Sequence, residues 1–470
     1  MSTSTATAPV ATERVVHRSW WALGVVVAAQ FMFVVDAFVV NVAIPTIRRD
    51  LGATAGEMEA VLALYQVAYA ASVITGSRLG DIYGRRRIFM IGVLAFTATS
   101  LWCGLASSGG ELILSRAAQG VSAALMVPQV LATIHALFPD EGRHRAFAVF
   151  GIALGLGAAV GFAAGGWLVT LDLGGYGWRS IFLVNLPIGL CVAIAARFLM
   201  PRGERRPGTR LDLAGAAVLF VALVCLIGAV LAGHELRWVW WLWLIIAGGV
   251  VLLVFFLRLE RWIERRGGLP LIDLVLLGNH GFLRGLAATS TFHFGNVSFY
   301  LLMTFFMQNS LGFTPLQSGL AVVPLALTFA IVSHRAGGWV ARCGIGVLLA
   351  GCTIQLAGVA ALVAVATTLS HPGLTTMLLV LPIFGVGQAM VMAPLAGVVL
   401  GRVHTAHAGS GAGMFNTTQQ GAGAAGVAVI GAVYALGGAD LITGVIAALA
   451  VLALSIVATG GLLVWMARAR

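Results

Sequence analysis

Two charged residues lie where charge is least tolerable. Of 17 acidic residues, Asp36 is the one deep inside a long apolar run, and of 28 arginines Arg116 is the one so placed. A charge at the centre of hydrocarbon costs roughly 2.5–3.5 kcal/mol on insertion scales, so neither side chain can face lipid. Both must face the protein interior or a water-filled cavity. At about 1.5 Å per residue, Asp36 lies roughly 13 Å and Arg116 roughly 8 Å below the same end of their runs, so they meet if their helices are neighbours. A carboxylate that gains and loses a guanidinium partner as helices move takes up and releases a proton. A pair that never separates is only structural. The sequence leaves both readings open.

Other groups gather elsewhere. In Ser77–Phe89, Arg78, Arg85, Arg86 and Arg87 surround Asp81, and Gly80 and Gly84 allow a sharp turn. Four guanidiniums and one carboxylate predict a local ion pair. Clustered arginine places this loop at the cytoplasmic membrane face, where it either gates movement or merely anchors topology. Further along, Ser290, His293, Asn296 and Tyr300 follow at spacings of three, three and four, which predicts one helical face. Such a stripe either lines a cavity or bonds neighbouring helices, and His293 is a candidate proton carrier. Asn416, Gln419 and Gln420 form a second polar cluster, and Gln388 has Met390 and Met392 beside it, side chains suited to a permissive surface. Asn41 and Gln119 complete the candidate cavity residues. Gly157, Gly161 and Gly165 recur every fourth residue, with Gly166 following, a spacing that lets helix backbones approach closely. No acid lies mid-run in the second half, which favours a neutral or monocationic ligand.

The elements that must position these groups are membrane helices. The 470 residues are 60% hydrophobic and 10% charged, with a mean hydropathy of +0.98; a soluble domain is nearer a quarter charged. Fourteen apolar runs approach the roughly 20 residues that cross a bilayer. Six lie in 20–200, two in 212–258 and six in 284–466. Arginine supplies all 28 basic residues; 21 fall in alternate segments read as cytoplasmic and four in the others. Both termini are then cytoplasmic, with tails at 1–19, expected to be disordered, and 467–470. The net charge of +11 is explained by loops facing anionic lipid headgroups rather than by nucleic acid. Six tryptophans, Trp20, Trp21, Trp178, Trp238, Trp262 and Trp465, are expected in an interfacial belt.

A repeat organises the runs. Leu51-Gly-Ala-Thr54 recurs as Leu311-Gly-Phe-Thr314, 260 residues later, and the Asp81 loop as a worn copy, Gly338–Gly344, without its acid. Six spans use nearer 200 residues, so 201–283 must hold two inserted helices, followed by a short amphipathic segment, Leu269–Leu277. The expected fold class is therefore an all-α integral membrane protein of two six-helix bundles, 20–200 and 284–466, plus the inserted pair. Cys103, Cys191, Cys225, Cys343 and Cys352 show no metal spacing. No phosphate-binding loop follows a strand, and no hydrophilic stretch holds a cluster of His, Asp or Glu. These features exclude ATP as the energy source and leave a membrane enzyme acting on lipid as a remote alternative.

Several motifs carry a resemblance. Gly80-Asp81-x-x-Gly84-Arg-Arg-Arg87 resembles the loop between the second and third spans of the major facilitator superfamily, where it is associated with gating. Val35–Pro45 around Asp36 resembles the first-span motif of that superfamily's fourteen-span drug:proton antiporters. Ser115-Arg116-Ala-Ala-Gln119-Gly120 resembles the fourth-span motif, and Gly411–Gln420 a thirteenth-span segment. The resemblance implies that Asp36 and Arg116 couple protons, that Asp81, Gly84, Arg85, Arg86 and Arg87 gate, and that no cofactor is needed. It implies a monomeric exporter of a small amphipathic molecule in a bacterial cytoplasmic membrane, working by alternating access; a proton-linked importer of the same fold is the alternative. One departure stands out. Gly161-Phe162-Ala-Ala-Gly165-Gly166 is similar to the fifth-span motif of proton-coupled exporters, but Phe162 stands where that motif has proline.

Overall fold

The computed structural model describes residues 9–138, 140–171, 175–201, 212–236, 238–266, 270, 274–369, 372–404, 408–438 and 440–468. Among these there are fifteen α-helices and no strand. The first half holds α1 (Pro9–Leu51), α2 (Ala55–Tyr83), α3 (Arg85–Leu105), α4 (Gly109–Leu137), α5 (Asp140–Leu171), α6 (Ser180–Leu183) and α7 (Asn185–Leu199). Two helices follow, α8 (Leu213–Glu235) and α9 (Trp240–Arg265). The second half holds α10 (His280–Phe305), α11 (Pro315–Cys343), α12 (Gly346–Thr368), α13 (Leu374–Leu400), α14 (Ala408–Ala435) and α15 (Leu441–Arg468).

Eleven helical segments among the described residues are long and apolar enough to cross a membrane, with α6 and α7 joining in one of them, Gly177–Leu199. The described apolar part of α8 is shorter, Ala214–Val230. The other two long helices, α10 and α14, are as long as their neighbours but carry the polar clusters. These fourteen rods coincide with the fourteen predicted runs. The first starts early: a disordered tail is expected over 1–19, yet α1 begins at Pro9. Proline is well tolerated at a first helical position, and the Ala, Glu and Arg that follow are good helix formers. Residues 1–8 lie outside the described residues. Of the expected amphipathic segment Leu269–Leu277, only Pro270 and a 3₁₀ turn at Leu274–Gly278 are described.

The repeat is physical. Thr54 Oγ accepts the Glu57 N–H at 3.1 Å while the Glu57 carboxylate accepts the Thr54 N–H at 2.8 Å. Thr314 and Gln317 make the same reciprocal cap at 3.2 and 2.9 Å, each satisfying two N–H groups that a helix start leaves free. Gly52 and Gly312 precede these caps at φ 58° and 70°, and Gly84 and Gly344 turn the chain at φ 95° and 60°.

The halves are joined through α1 and α5. Val39, Val40 and Ile44 of α1 share a core with Leu301 and Phe305 of α10 and Val427 of α14. Gln308, in a π turn ending α10, donates to the Val42 carbonyl at 2.9 Å. Pro315 and Leu316 of α11 press on Gly166 of α5. Along one side, α2 packs on α14, and α8 lies against both, with α9 outside it. Trp178 departs from the expected belt. It is fully buried and donates Nε1–H to Asp50 at 2.8 Å, because the 3₁₀ turn Gly177–Arg179 folds it inward. The other five are exposed: Trp20 and Trp21 well inside α1, Trp238 just before α9, and Trp262 and Trp465 in the last turns of α9 and α15.

Candidate functional site

Asp36 and Arg116 meet. Arg116 Nη1 donates to Asp36 Oδ2 at 2.6 Å, and both side chains are almost wholly shielded from solvent, at 1% and 0% exposed. The α4 backbone approaches α2 closely at Gly120, where an added Cβ would lie 2.3 Å from the Tyr65 carbonyl oxygen. This brings the Tyr65 ring under the guanidinium, 4.0 Å from Cζ, a favourable stacking of cation on aromatic face. The same Nη1 donates to Gln119 Oε1 at 2.5 Å, and Gln119 Nε2 donates to Asp36 Oδ1 at 3.1 Å. Asn185, at the start of α7, also donates to Oδ1, at 2.9 Å. Ser100 of α3 accepts from both amides, at 2.6 and 3.1 Å.

Asp36 is thus held by three donors from α4 and α7 and faces no acceptor in this arrangement. That suits a carboxylate, which only accepts. A protonated carboxyl would point its O–H at a donor. Taking up a proton therefore requires the amides to turn over or α1 to withdraw from α4. Arg116 Nε and the Tyr65 hydroxyl make no hydrogen bond among the described residues, leaving the arginine a spare donor.

The reverse side of α1 contacts other elements. Gly157, Gly161 and Gly165 of α5 face Val34, Val35 and Val39; an added Cβ at Gly161 would lie 3.0 Å from the Val35 carbonyl oxygen, and at Gly165 2.9 Å from that of Val39. Two residues after Asp36, Phe38 meets Phe162 of α5 and Tyr300 of α10 with ring centroids 5.3 and 5.2 Å away, and Phe162 and Tyr300 close the triangle at 5.1 Å. Phe162, the departure from proline, fills the junction between the halves. Helix α1 therefore touches the carboxylate network on one face and the second half on another.

The second half holds a neutral counterpart. Gln388 of α13 donates Nε2–H to Asn296 Oδ1 at 2.8 Å and contacts the Tyr300 hydroxyl at 2.9 and 3.1 Å through its two polar atoms. Buried His293 places Nδ1 3.0 Å from the Thr289 carbonyl, and its Nε2 is without a partner among the described residues. The predicted stripe on α10 divides: Ser290 instead lines a cavity of about 680 Å³ with Thr291, Phe294 and residues of α14 and α15. Asn41 donates back to carbonyls of its own helix, Ala37 at 3.1 Å and Phe38 at 3.4 Å. Gln119 belongs to the Asp36 network. Half-buried Asn416 and Gln420 lie on α14, where the neighbouring Thr417 bonds the Ala70 carbonyl of α2 at 3.0 Å.

In the basic loop, Asp81 pairs with Arg85 at 3.5 Å, an exposed contact that contributes only about 0.3–0.5 kcal/mol. The arginines chiefly reach helix ends. Arg85 donates to the Ala132 carbonyl of α4 at 2.8 Å, Arg86 to Met200 at 3.3 Å after α7, and Arg78 to Pro270 beyond α9. Cations are favoured at carbonyls ending a helix, such as that of Met200. Gly84 makes the turn, and Arg87 is exposed at the start of α3.

Several participants escape a reading by charge and periodicity. Asn185 and Ser100 are uncharged, and nothing in their spacing marks them. Glu59 and Glu260 are buried near helix ends, although their positions suggest exposure.

The sequence model of the Major Facilitator Superfamily matches residues 26–222 and again 213–427. The chain belongs to the Major Facilitator Superfamily. It is 38% identical over 347 residues to the probable actinorhodin transporter of Streptomyces coelicolor, covering 72% of this chain and 60% of that one. It is 37% identical over 321 residues to a puromycin resistance protein of Streptomyces alboniger, covering 67% and 61%. The chain thus spans about three fifths of the length of these relatives. Among solved structures it superposes on an inward-facing, unoccupied bacterial homologue of the lysosomal transporter Spinster with a TM-score of 0.64, at 16% identity and 98% and 96% coverage. The superfamily fold so established is the all-α, multi-pass membrane architecture expected from the runs.

Proposed function

We propose that this superfamily member exports a small amphipathic compound, neutral or monocationic, across a bacterial cytoplasmic membrane in exchange for protons. Relatives named for actinorhodin transport and puromycin resistance support export. The bias of arginine toward one set of loops supports fourteen spans with both termini cytoplasmic, two six-helix bundles (20–200 and 284–466) and an inserted pair within 201–283. With that orientation, the contacts of α1 with α10 and of Gly166 with α11 seal the outer side.

The observation that carries the coupling reading is the buried Asp36–Arg116 pair with its all-donor surroundings. In the proposed cycle, a proton entering from outside neutralises Asp36 and frees it from Arg116, Gln119 and Asn185. Helix α1 then shifts, and Phe38 conveys the shift to Phe162 and Tyr300. The bundles rock, substrate leaves, and reopening inward lets the carboxylate regain its donors and release the proton. Asp81 and its arginines stabilise one of the two states. The candidate cavity residues of the second half, Asn296, Tyr300 and Gln388 with His293, Asn416 and Gln420, supply uncharged hydrogen-bonding groups to the ligand.

The test is proton movement in proteoliposomes holding a pH-sensitive dye, driven by a puromycin gradient. The wild type should move protons with the drug, and Asp36→Asn should not. Normal coupling in Asp36→Asn would remove Asp36 as the carrier.

A further inference from the structure

The 680 Å³ cavity lies apart from the proton network, on the flank of the second half. Ser290, Thr291 and Phe294 of α10 form its floor, Gly421 and Ala425 of α14 one wall, and Ala458 of α15 another. Leu454, 68% exposed, stands at its mouth. The small residues make the hollow, and its volume falls within the roughly 300–1,000 Å³ of small-molecule sites.

Three of its five hydroxyls are already engaged, and most of the remaining lining is apolar. Thr291 contacts the Thr459 hydroxyl at 2.9 Å, Ser455 donates to the Leu452 carbonyl at 2.7 Å, and Thr417 bonds Ala70 across to α2 at 3.0 Å. An occupant therefore meets mainly hydrocarbon. A polar ligand would lose hydration without compensation, whereas each buried methylene gains about 0.8 kcal/mol.

A cation stands below. Helices α10 and α15 run antiparallel, pairing Thr291 with Thr459 and, seven residues away on α10 and six on α15, Arg284 with Trp465 nearer the arginine-rich face. At about 1.5 Å per residue that step is roughly 10 Å. The Arg284 guanidinium lies 4.2 Å over the Trp465 ring, and its Nε is buried without a hydrogen-bond partner. Arg284 makes no ion pair among the described residues. Arg284 and Thr291, seven residues apart, share one side of α10, as Trp465 and Ala458 do on α15.

We propose that this flank is a binding site for one glycerophospholipid of the leaflet on the arginine-rich face: an acyl chain fills the crevice and the phosphate is held by Arg284. Trp465 then sits at headgroup level, where tryptophan is favoured, and the step between Arg284 and Thr291 spans the interfacial layer.

Native mass spectrometry of the full chain, delipidated in detergent and returned to phosphatidylglycerol, tests this. The wild type should retain one lipid. Ala425→Phe, which fills the crevice, and Arg284→Gln, which removes the phosphate contact, should each lower retention about tenfold. Thr418→Leu, at the crevice wall, serves the same purpose should Ala425→Phe fail to fold. Loss in Arg284→Gln alone, or displacement of the lipid by inorganic phosphate, would mean a headgroup contact without a seated chain and overturn the site. Loss in the crevice variants alone would overturn the role of Arg284, and equal retention in all would overturn the whole.

Discussion

In the first half a glutamine of α4 donates to a carboxylate of α1; in the second, a glutamine of α13 donates to a carboxamide of α10. Asp36 and Asn296 are 260 residues apart, the same offset that relates Thr54 to Thr314 and Gly84 to Gly344. Three residues before each glutamine the halves differ again: Arg116 in one, Gly385 in the other. At Gly385 an added Cβ would lie 2.7 Å from the Leu325 carbonyl oxygen, so packed helix fills the space that a guanidinium takes in the first half. Acid and base are thus absent together from the equivalent positions of the second half. This is what burial demands, since one buried charge without its partner is far more costly than a pair or none. The shape of the polar contact is kept in both halves, and a buried ion pair in only one.

That comparison can be broken by making the halves alike. Asp36→Asn leaves Arg116 without its counter-ion and should lower stability by about 3–5 kcal/mol and abolish drug-linked proton movement. Asp36→Asn with Arg116→Met should recover most of the melting temperature but none of the coupling; recovered coupling would show that the pair is only structural. The reverse change, Asn296→Asp, puts a carboxyl beside Gln388 and Tyr300 with no guanidinium. Its neutral form resembles the amide and its charged form has no partner, so the variant should lose about 1–3 kcal/mol as pH rises from acidic to alkaline. Melting curves across pH, against a wild type lacking that slope, check it.

Packing sharpens the contrast further. Gly161→Ala should cost about 1–3 kcal/mol, because the new Cβ meets Val35 and Phe38 at 3.0 Å. Gly151→Ala on the same helix meets nothing within 4 Å and should be neutral or slightly stabilising. Equal melting temperatures would refute the close approach of α5 to α1. The smallest effect concerns what the halves share. Thr54→Ala and Thr314→Ala should each cost about 1 kcal/mol and match one another, measurable as paired thermal shifts.

The parts legible in the sequence are those with a large energetic signature. Apolar runs had to become helices, and two isolated charges in oil needed shielding, so the helix set, and an Asp36–Arg116 contact conditional on neighbouring helices, were readable from where the charges fall. The repeat at Leu51–Thr54 and Leu311–Thr314 and the turn at Gly84 were legible because their signals are local, whereas Gly80, also expected to turn, lies within α2. Asn185 and Ser100 were not, because an uncharged side chain does not reveal whether it bonds its own helix, as Asn41 does, or a distant carboxylate. The α10 stripe misled for a geometric reason: steps of three and four drift around a 3.6-residue helix, so Ser290 and Asn296 diverge onto separate surfaces.

The position of α8 across α2 and α14 makes the molecule's two flanks unequal. Along that flank the first and second halves are strapped by a third body, and peeling α2 from α14 would strip α8 from one of them. Where α5 meets α11 no such strap intervenes. The α5–α11 contact is instead direct, with Gly166 against Pro315 and Gly319 against the Phe162 carbonyl, so the two flanks join the halves by different means.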